Sequence, residues 1–337
     1  MKNEFVLSRT NLPYWLRQLR KKADLIGPSR SLNGDIIFSS IVNIHEMILD
    51  CPASIPSPKE FLFPQKEEMY KFSQKGVRNL NDKTKRIIFG VRSCDISAIA
   101  LLDRFYGGLL EDDFYMSRRR NTCFISITCN NPDPTCFCSG LGTGPVLKTG
   151  FDLQLTDLGD RYLVQAGSRE GLRMINGFRH LFLLPEKADY DDQYEVLLSS
   201  QSIFEKRITL ENVRQKILDG KVTDSFWESV ACRCFECGGC VYECPLCTCF
   251  NVIDWKEKDN KGTRLRLWDT CMFKGFTKMA GNVLPAGKKI MRTRRWYFHK
   301  LIHYPEQFGR FGCVGCGRCT ITCPGRIDMA TIANKLD

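Results

Sequence analysis

The sequence predicts an α+β chain: a mixed α/β domain at the N-terminus, then a cysteine-rich domain interrupted by a long insert. Three observations lead there. Two short β-rich runs, residues 87–91 and 124–128, flank a stretch of helical composition, the alternation expected of an α/β domain. Twelve of the 18 cysteines fall within residues 231–337. One four-cysteine motif occurs twice in that part, at 234–244 and again at 313–323.

Taken in order, residues 12–19 (LPYWLRQL) space their apolar side chains as an amphipathic helix does. Residues 87–91 (IIFGV) follow a polar, basic turn and read as a buried strand ending at Arg92-Ser93. Asp95 through Leu102 is helical in composition. Residues 124–128 (FISIT) form a second strand that leads directly into Cys129. Residues 153–155 and 162–164 are expected to pair as a hairpin across Asp157-Leu158-Gly159-Asp160. A charged helix is expected over residues 195–216. The expected organisation is a mixed α/β domain over 1–185, a helical connector over 186–230, and the cysteine-rich domain over 231–337 with its insert at 250–310.

The composition, 43% hydrophobic and 26% charged over 337 residues, is globular and excludes disorder or collagen-like structure. Met1 to Val6 lack the apolar core and small-residue cleavage site of a secretory signal. No apolar run approaches the roughly 18 residues that cross a bilayer. A soluble, cytoplasmic protein is therefore expected, where grouped cysteines bind metal or do redox chemistry and do not form disulfides.

The two motifs are Cys234-Phe-Glu-Cys237-Gly-Gly-Cys240-Val-Tyr-Glu-Cys244-Pro245 and Cys313-Val-Gly-Cys316-Gly-Arg-Cys319-Thr-Ile-Thr-Cys323-Pro324. Both read C-x2-C-x2-C-x3-C-P, the bacterial ferredoxin run for [4Fe–4S] clusters. Three cysteines at three-residue steps wrap one tight loop around three corners of a cubane. Gly238, Gly239, Gly315 and Gly317 permit unusual backbone angles and a close approach of N–H groups to sulfur. In two-cluster ferredoxins the fourth cysteine serves the other cluster. The expected ligand sets are therefore Cys234, Cys237, Cys240 and Cys323 for one cluster, and Cys313, Cys316, Cys319 and Cys244 for the other. Structural zinc, the competing reading, uses two C-x2-C pairs across a spacer and matches poorly. The fold class is thus a mixed α/β domain followed by a ferredoxin-like, two-cluster domain with a long insert.

Two further cysteine groups stand out. Cys94, Cys129, Cys136 and Cys138 follow the two expected strands or lie in the Pro- and Gly-rich loop after the second. Sites gather at such strand ends in open α/β sheets, and four cysteines suffice for a third [4Fe–4S] cluster. Zinc and bare thiols satisfy the same count. Cys247 and Cys249 (CPLCTC) and Cys271 lie between the two ferredoxin motifs, as additional iron ligands or as packed thiols. Cys51, Cys123 and Cys232 fit no set. The Gly140-Leu-Gly142-Thr-Gly144 run lacks the spacing of a nucleotide loop, and His299 and His303 lack a third zinc ligand. Nothing recognisable would hold a flavin or a nicotinamide, and no catalytic residue is identified.

The chain resembles the beta-subunit family of cytoplasmic sulfhydrogenases, which includes 4Fe-4S dicluster proteins of the anaerobic sulfite reductase type. The resemblance is carried by Pro58-Lys59-Glu60-Phe61-Leu62-Phe63, Phe89-Gly90-Val91-Arg92-Ser93-Cys94-Asp95, the Cys129–Cys138 loop, CPLCTC, Trp268-Asp269-Thr270-Cys271 and both ferredoxin motifs. It implies an iron–sulfur electron-transfer subunit of a multi-subunit anaerobic oxidoreductase. Its partners would be a flavoprotein subunit that meets NAD(P)H, or a hydrogenase module, and a catalytic redox subunit of sulfite reductase, hydrogenase or heterodisulfide-reductase type. The resemblance also sets Cys94, Cys129, Cys136, Cys138, Cys247, Cys249 and Cys271 at family cysteine positions. The alternatives are a self-contained iron–sulfur reductase and a zinc-stabilised basic binding protein.

The formal charge of +11 counts every cysteine as neutral. Two clusters with thiolate ligands would lower it to about +7. Residues 256–300 hold thirteen Lys/Arg against three Asp/Glu, so the excess sits between the ferredoxin motifs. The insert is expected to lie against the clusters or an acidic partner subunit, with no nucleic acid involved.

Overall fold

The computed structural model describes residues 3–51, 54–204 and 208–336. Its strands are β1 (Glu4–Ser8), β2 (Asp24–Arg30), β3 (Ile36–Ser40), β4 (Lys66–Ser73), β5 (Gly76–Asn79) and β6 (Arg86–Val91), then β7 (Thr122–Ile127), β8 (Leu153–Asp157), β9 (Arg161–Ala166), β10 (Phe182–Leu183), β11 (Phe250–Lys256) and β12 (Gly262–Trp268). Eight of them form one mixed sheet in the order β10-β1-β9-β8-β7-β6-β2-β3. The four strands β8, β7, β6 and β2 run parallel at its centre, and antiparallel pairs complete both sides. Both expected strand runs lie in this parallel centre, as β6 and β7. The expected hairpin is β8–β9, with Leu155 opposite Val164.

Alternation of side chains sorts the central strands onto two cores. Ile87, Phe89, Ile125 and Ile127 join Leu12, Trp15, Leu16 and Leu19 of helix α1 (Leu12–Arg20). Ile88 and Phe124 face the other side, against Ile96, Ile99 and Leu102 of α2 (Ser93–Tyr106). Helix α3 (Asp113–Arg120) precedes β7, and α4 (Arg169–Asn176) follows β9.

The connector differs from the expected single helix over 195–216. Helix α5 (Lys187–Ser202) ends at Ile203, and α6 (Leu210–Leu218) begins after Thr209, whose backbone is extended at φ −106°, ψ 93°. Residues 205–207 of the expected helix lie outside the described residues. Helix α7 (Asp224–Cys232) leads into the first motif.

The C-terminal part is built from short helices: α8 (Gly239–Tyr242), α9 (Lys289–Phe298), α10 (Tyr304–Phe308), α11 (Arg318–Thr322) and α12 (Met329–Leu336). A π-helical turn, His299–His303, joins α9 to α10. The insert is not confined to its own part. Its hairpin β11–β12 pairs through β12 with β4, giving a second sheet in the order β11-β12-β4-β5. A buried charge network locks this sheet to α3: Glu67, 3% exposed, lies between Arg118 and Arg266, and Arg266 also meets Asp112. Among the described residues no helix is long and apolar enough to cross a membrane.

Candidate iron–sulfur centres

The first motif turns at Glu236 and Gly238, with φ of 55° and 79°, and then forms α8. The second turns at Gly315 and Gly317, with φ of 63° and 73°, and then forms α11. The two short helices pack together so closely that a Cβ on Gly239 would lie 2.5 Å from Thr322 Cγ2. This juxtaposition carries the last cysteine of each motif toward the other.

Two cavities result. One is lined by Cys234, Cys237, Cys240 and Cys323, with Trp296 and Tyr297 closing its inner wall. The other is lined by Cys244, Cys313, Cys316 and Cys319, with Cys240 and Lys300 in its wall. Cys240 therefore lies between the two. Backbone N–H groups point at four of the sulfurs: Glu236 at Cys234, Leu246 at Cys244 and Gly315 at Cys313, each at 3.4 Å, and Ile327 at Cys323 at 3.5 Å. Such donors stabilise thiolate charge. Burial pushes the Cys313 thiol up to about 12, so it stays protonated unless a metal cation draws off the proton. Sulfurs spread around a cavity suit the corners of a cluster, and tight convergence suits one zinc ion. The donor set, the glycine turns and the cavities fit [4Fe–4S] clusters.

The N-terminal cysteines lie against the second motif. Cys94 starts α2, and Cys129 follows β7. The loop carrying Cys136 and Cys138 is pinned by Phe137 N–H donating to Gly315 O at 2.8 Å and by the Thr143 hydroxyl donating to Val314 O at 2.8 Å. A Cβ on Gly315 would lie 2.6 Å from Cys138 N, and one on Gly317 would lie 2.2 Å from Thr135 Oγ1. Burial, then Cys316 and Cys129, push Cys136 up to about 12. Burial and the neighbouring Cys136, Cys129 and Cys316 raise Cys138 further. Cys94 is raised by burial, Asp95, Cys316 and Cys138. Cys129, Cys136 and Cys138 thus lie within electrostatic reach of one another, and Cys94 within reach of Cys138.

The insert cysteines are brought to the same region. The Cys247 thiol hydrogen-bonds Cys244, which is thereby held low, with Lys300 and Lys59 adding to the effect. Cys271 hydrogen-bonds Cys249 and holds it at about 7. Cys271 also lies beside Cys240. All 18 cysteines are unpaired thiols. Of the three expected to fit no set, Cys51 lines a strand-end cavity together with Cys129 and Arg92. Cys123 lies in β7 and Cys232 ends α7. His299 and His303 lie on the π-helical turn, where His303 meets Glu306 at 3.5 Å.

Several residues at these sites carry no motif. Asp95 and Arg318, 1% and 0% exposed, form a two-armed ion pair at 2.7 and 2.8 Å. It ties the residue after Cys94 to the residue between Cys316 and Cys319. Arg292 reaches Glu236, Lys289 donates to Cys234 O, and Arg295 donates to Cys271 O. Only the density of basic residues in 288–300 hinted at this.

A family model described as a 4Fe-4S dicluster domain matches residues 233–327, and a domain of that kind holds two [4Fe–4S] clusters. The chain is also similar to Sulfhydrogenase 2 subunit beta of Pyrococcus furiosus, at 32% identity over 324 residues, which span 96% of this chain and 95% of the relative. With likeness along nearly its whole length and both four-cysteine motifs in place, the chain belongs to the family of sulfhydrogenase beta subunits.

Proposed function

We propose that this chain is the iron–sulfur electron-transfer subunit of a hydrogenase-type, multi-subunit oxidoreductase. It relays single electrons between a flavin/NAD(P)H or hydrogenase module and a catalytic partner subunit, in the cytoplasm. The observation that carries the reading is the pair of adjoining cysteine-lined cavities, each combining three cysteines of one motif with the fourth of the other. Cys234, Cys237, Cys240 and Cys323 hold one cluster. Cys313, Cys316, Cys319 and Cys244 hold the second. Cys94, Cys129, Cys136 and Cys138 hold a third, packed on the second motif.

A bound [4Fe–4S] cluster supplies a one-electron couple. The protein's part is to place and tune it. Glu236, Leu246, Gly315 and Ile327 N–H groups stabilise the sulfur charge. Trp296 and Tyr297 keep water from the inner wall of the first cavity. Cys237 and Phe235 are exposed, so this cavity is the one that meets the surface, where a partner's cofactor can approach.

Anaerobic iron and sulfide analysis with EPR on the reconstituted chain tests the reading. About twelve irons per chain are expected, and Cys136→Ser should lose about four while sparing the ferredoxin pair. Fewer than about eight irons in fully loaded protein overturns the two ligand sets. Unchanged iron in the Cys136→Ser variant removes the third. Turnover of NAD(P)H by the chain alone would favour a self-contained reductase.

A further inference from the structure

Two lysines are buried at the heart of the C-terminal part. Lys300 and Lys59 are 4% and 3% exposed. Lys300 Nζ lies 3.2 Å from Cys244 Sγ and donates to Gly312 O at 2.8 Å. Lys59 Nζ donates to Cys244 O at 2.6 Å and Cys247 O at 3.1 Å, 4.3 Å above the Trp268 ring. Carbonyls and one sulfur are their hydrogen-bond partners among the described residues, and no carboxylate pairs with either. A buried cation without a counter-charge is strongly unfavourable. For Lys300 the balancing negative charge comes from the cysteine sulfurs it faces, whereas Lys59 also has the carboxylates of Glu60 and Glu243 nearby.

The two cavities differ in this respect. Lys300 is part of the wall around Cys244, Cys313, Cys316 and Cys319. The wall around Cys234, Cys237, Cys240 and Cys323 has Glu236 as its one charged residue; Lys289 and Arg292 lie behind it on Cys234 O and on Glu236, a backbone oxygen and a carboxylate, where Lys300 meets a ligand sulfur directly. Reducing a cluster adds one negative charge. A fixed ammonium against a ligand sulfur, in a water-poor interior, favours that reduced form.

We propose that Lys300, backed by Lys59, is the counter-cation of the centre at Cys244, Cys313, Cys316 and Cys319. It holds the reduction potential of that centre above its neighbour's, so that an electron entering the pair comes to rest on the inner site. Lys300 is a positioning residue for charge and bonds no iron. The inference rests on the ligand sets proposed above.

The test is an EPR-monitored redox titration of the anaerobically loaded full chain, with iron counted in every sample. The wild type, Lys300→Met, Lys300→Arg and Lys59→Met are compared, with Cys313→Ser marking which signal belongs to the inner centre. In Lys300→Met, the reduced-to-oxidised ratio of that signal at a fixed potential should fall at least tenfold, equivalent to about 59 mV for one electron. The other signal should move less than half as far on the logarithmic scale. Lys300→Arg should restore most of the ratio. Lys59→Met should lower the same signal at least threefold, and it carries the test alone should Lys300→Met fail to load iron. Full iron with unmoved potentials, or equal movement of both signals, overturns the role of Lys300. A wild-type count short of two clusters, or an iron content unaffected by Cys313→Ser, overturns the ligand sets.

Discussion

The buried pair of Asp95 and Arg318 joins the N-terminal domain to the second ferredoxin motif, and breaking it should cost more than any single surface change. Both side chains are at most 1% exposed, and two hydrogen bonds of 2.7 and 2.8 Å hold them face to face. Arg318 Nε also donates to Ser54 O at 2.7 Å, and the Ser57 hydroxyl donates to Asp95 at 3.2 Å. At that separation, with an effective dielectric constant near 20, the gross attraction is about 6 kcal/mol. Desolvating two ions opposes it by a similar amount, so the pair contributes little net. Removing one partner is different, because a buried charge is left alone. Asp95→Ala should therefore destabilise by about 3–5 kcal/mol. Asp95→Leu combined with Arg318→Met removes both charges and should recover most of that loss.

The assay is anaerobic urea unfolding of the loaded chain, followed by tryptophan fluorescence, with midpoints compared across the cycle of wild type, Asp95→Leu, Arg318→Met and their double, alongside Asp95→Ala. The coupling between the two positions should exceed about 2 kcal/mol. Because Asp95 follows Cys94 and Arg318 lies between Cys316 and Cys319, Asp95→Ala should also release iron first from the third centre proposed above at Cys94, Cys129, Cys136 and Cys138. A cost below about 1 kcal/mol for Asp95→Ala, or a double variant worse than the sum of its parts, would refute the assignment of a mutually compensated pair.

Three other outcomes follow from the packing. Gly317 and Gly309 both have positive φ, but a Cβ at 317 meets Thr135 while one at 309 meets open space. Gly309→Ala should cost about 1–2 kcal/mol for backbone strain alone, and Gly317→Ala about 1–3 kcal/mol more from the clash; equal unfolding midpoints would contradict this. Glu67→Ala removes the carboxylate shared by two buried arginines but leaves Arg266 with Asp112 and Arg118 with Asp82, so it should cost about 1.5–3 kcal/mol, with faster proteolysis in β4 and β12 as the local readout. Iron removal should strip hydrogen-exchange protection from α7, α9 and α12, whose core packs on Cys234, Cys240, Cys313, Cys319 and Cys323. Protection should persist in β1, β8 and β9, whose core contains no candidate ligand, and uniform loss would contradict the separation.

The central strands were legible because burial on both faces writes a continuous apolar run, as in IIFGV and FISIT. The β8–β9 hairpin was legible because its partners are neighbours in sequence. The second sheet was not. β4 reads KEEMYKFS, every residue of β11 is exposed, and β12 finds β4 across nearly two hundred residues. No local period encodes such a pairing. The motif spacing reports how cysteines wrap a cubane, so it named the eight ferredoxin-type cysteines. It is silent on the third coordinate, the packing of α8 on α11 that brings Cys323 and Cys244 across. The buried lysines were hidden for another reason. Lys59 in PKEF and Lys300 in HKLIH look like ordinary surface charges, and only the π-helical turn, with the loop carrying Gly312, shows Lys300 turned inward.

The basic excess of residues 256–300 divides by direction, and the division changes what the charge means. Lys289, Arg292, Arg295 and Lys300 bond to the backbone, acid or sulfur of the cysteine-bearing segments. Lys256, Lys258, Lys261, Lys274, Lys278 and Lys288 are exposed. The buried members of the inward group, Arg292 and Lys300, sit where sulfur charge collects, at short range and out of reach of salt, while Lys289 and Arg295 are half-buried. The outward group is screened beyond about 10 Å at ordinary ionic strength, so it affects encounter with a partner and not the stability of the fold. A single pI of 8.9 merges the two and suggests a polyanion ligand. Separated, the inward charges are part of the site, and only the outward ones are available to attract an acidic partner. Raising salt should therefore slow partner association while leaving the order of the cluster potentials unchanged, because that order is set by cations the solvent does not reach.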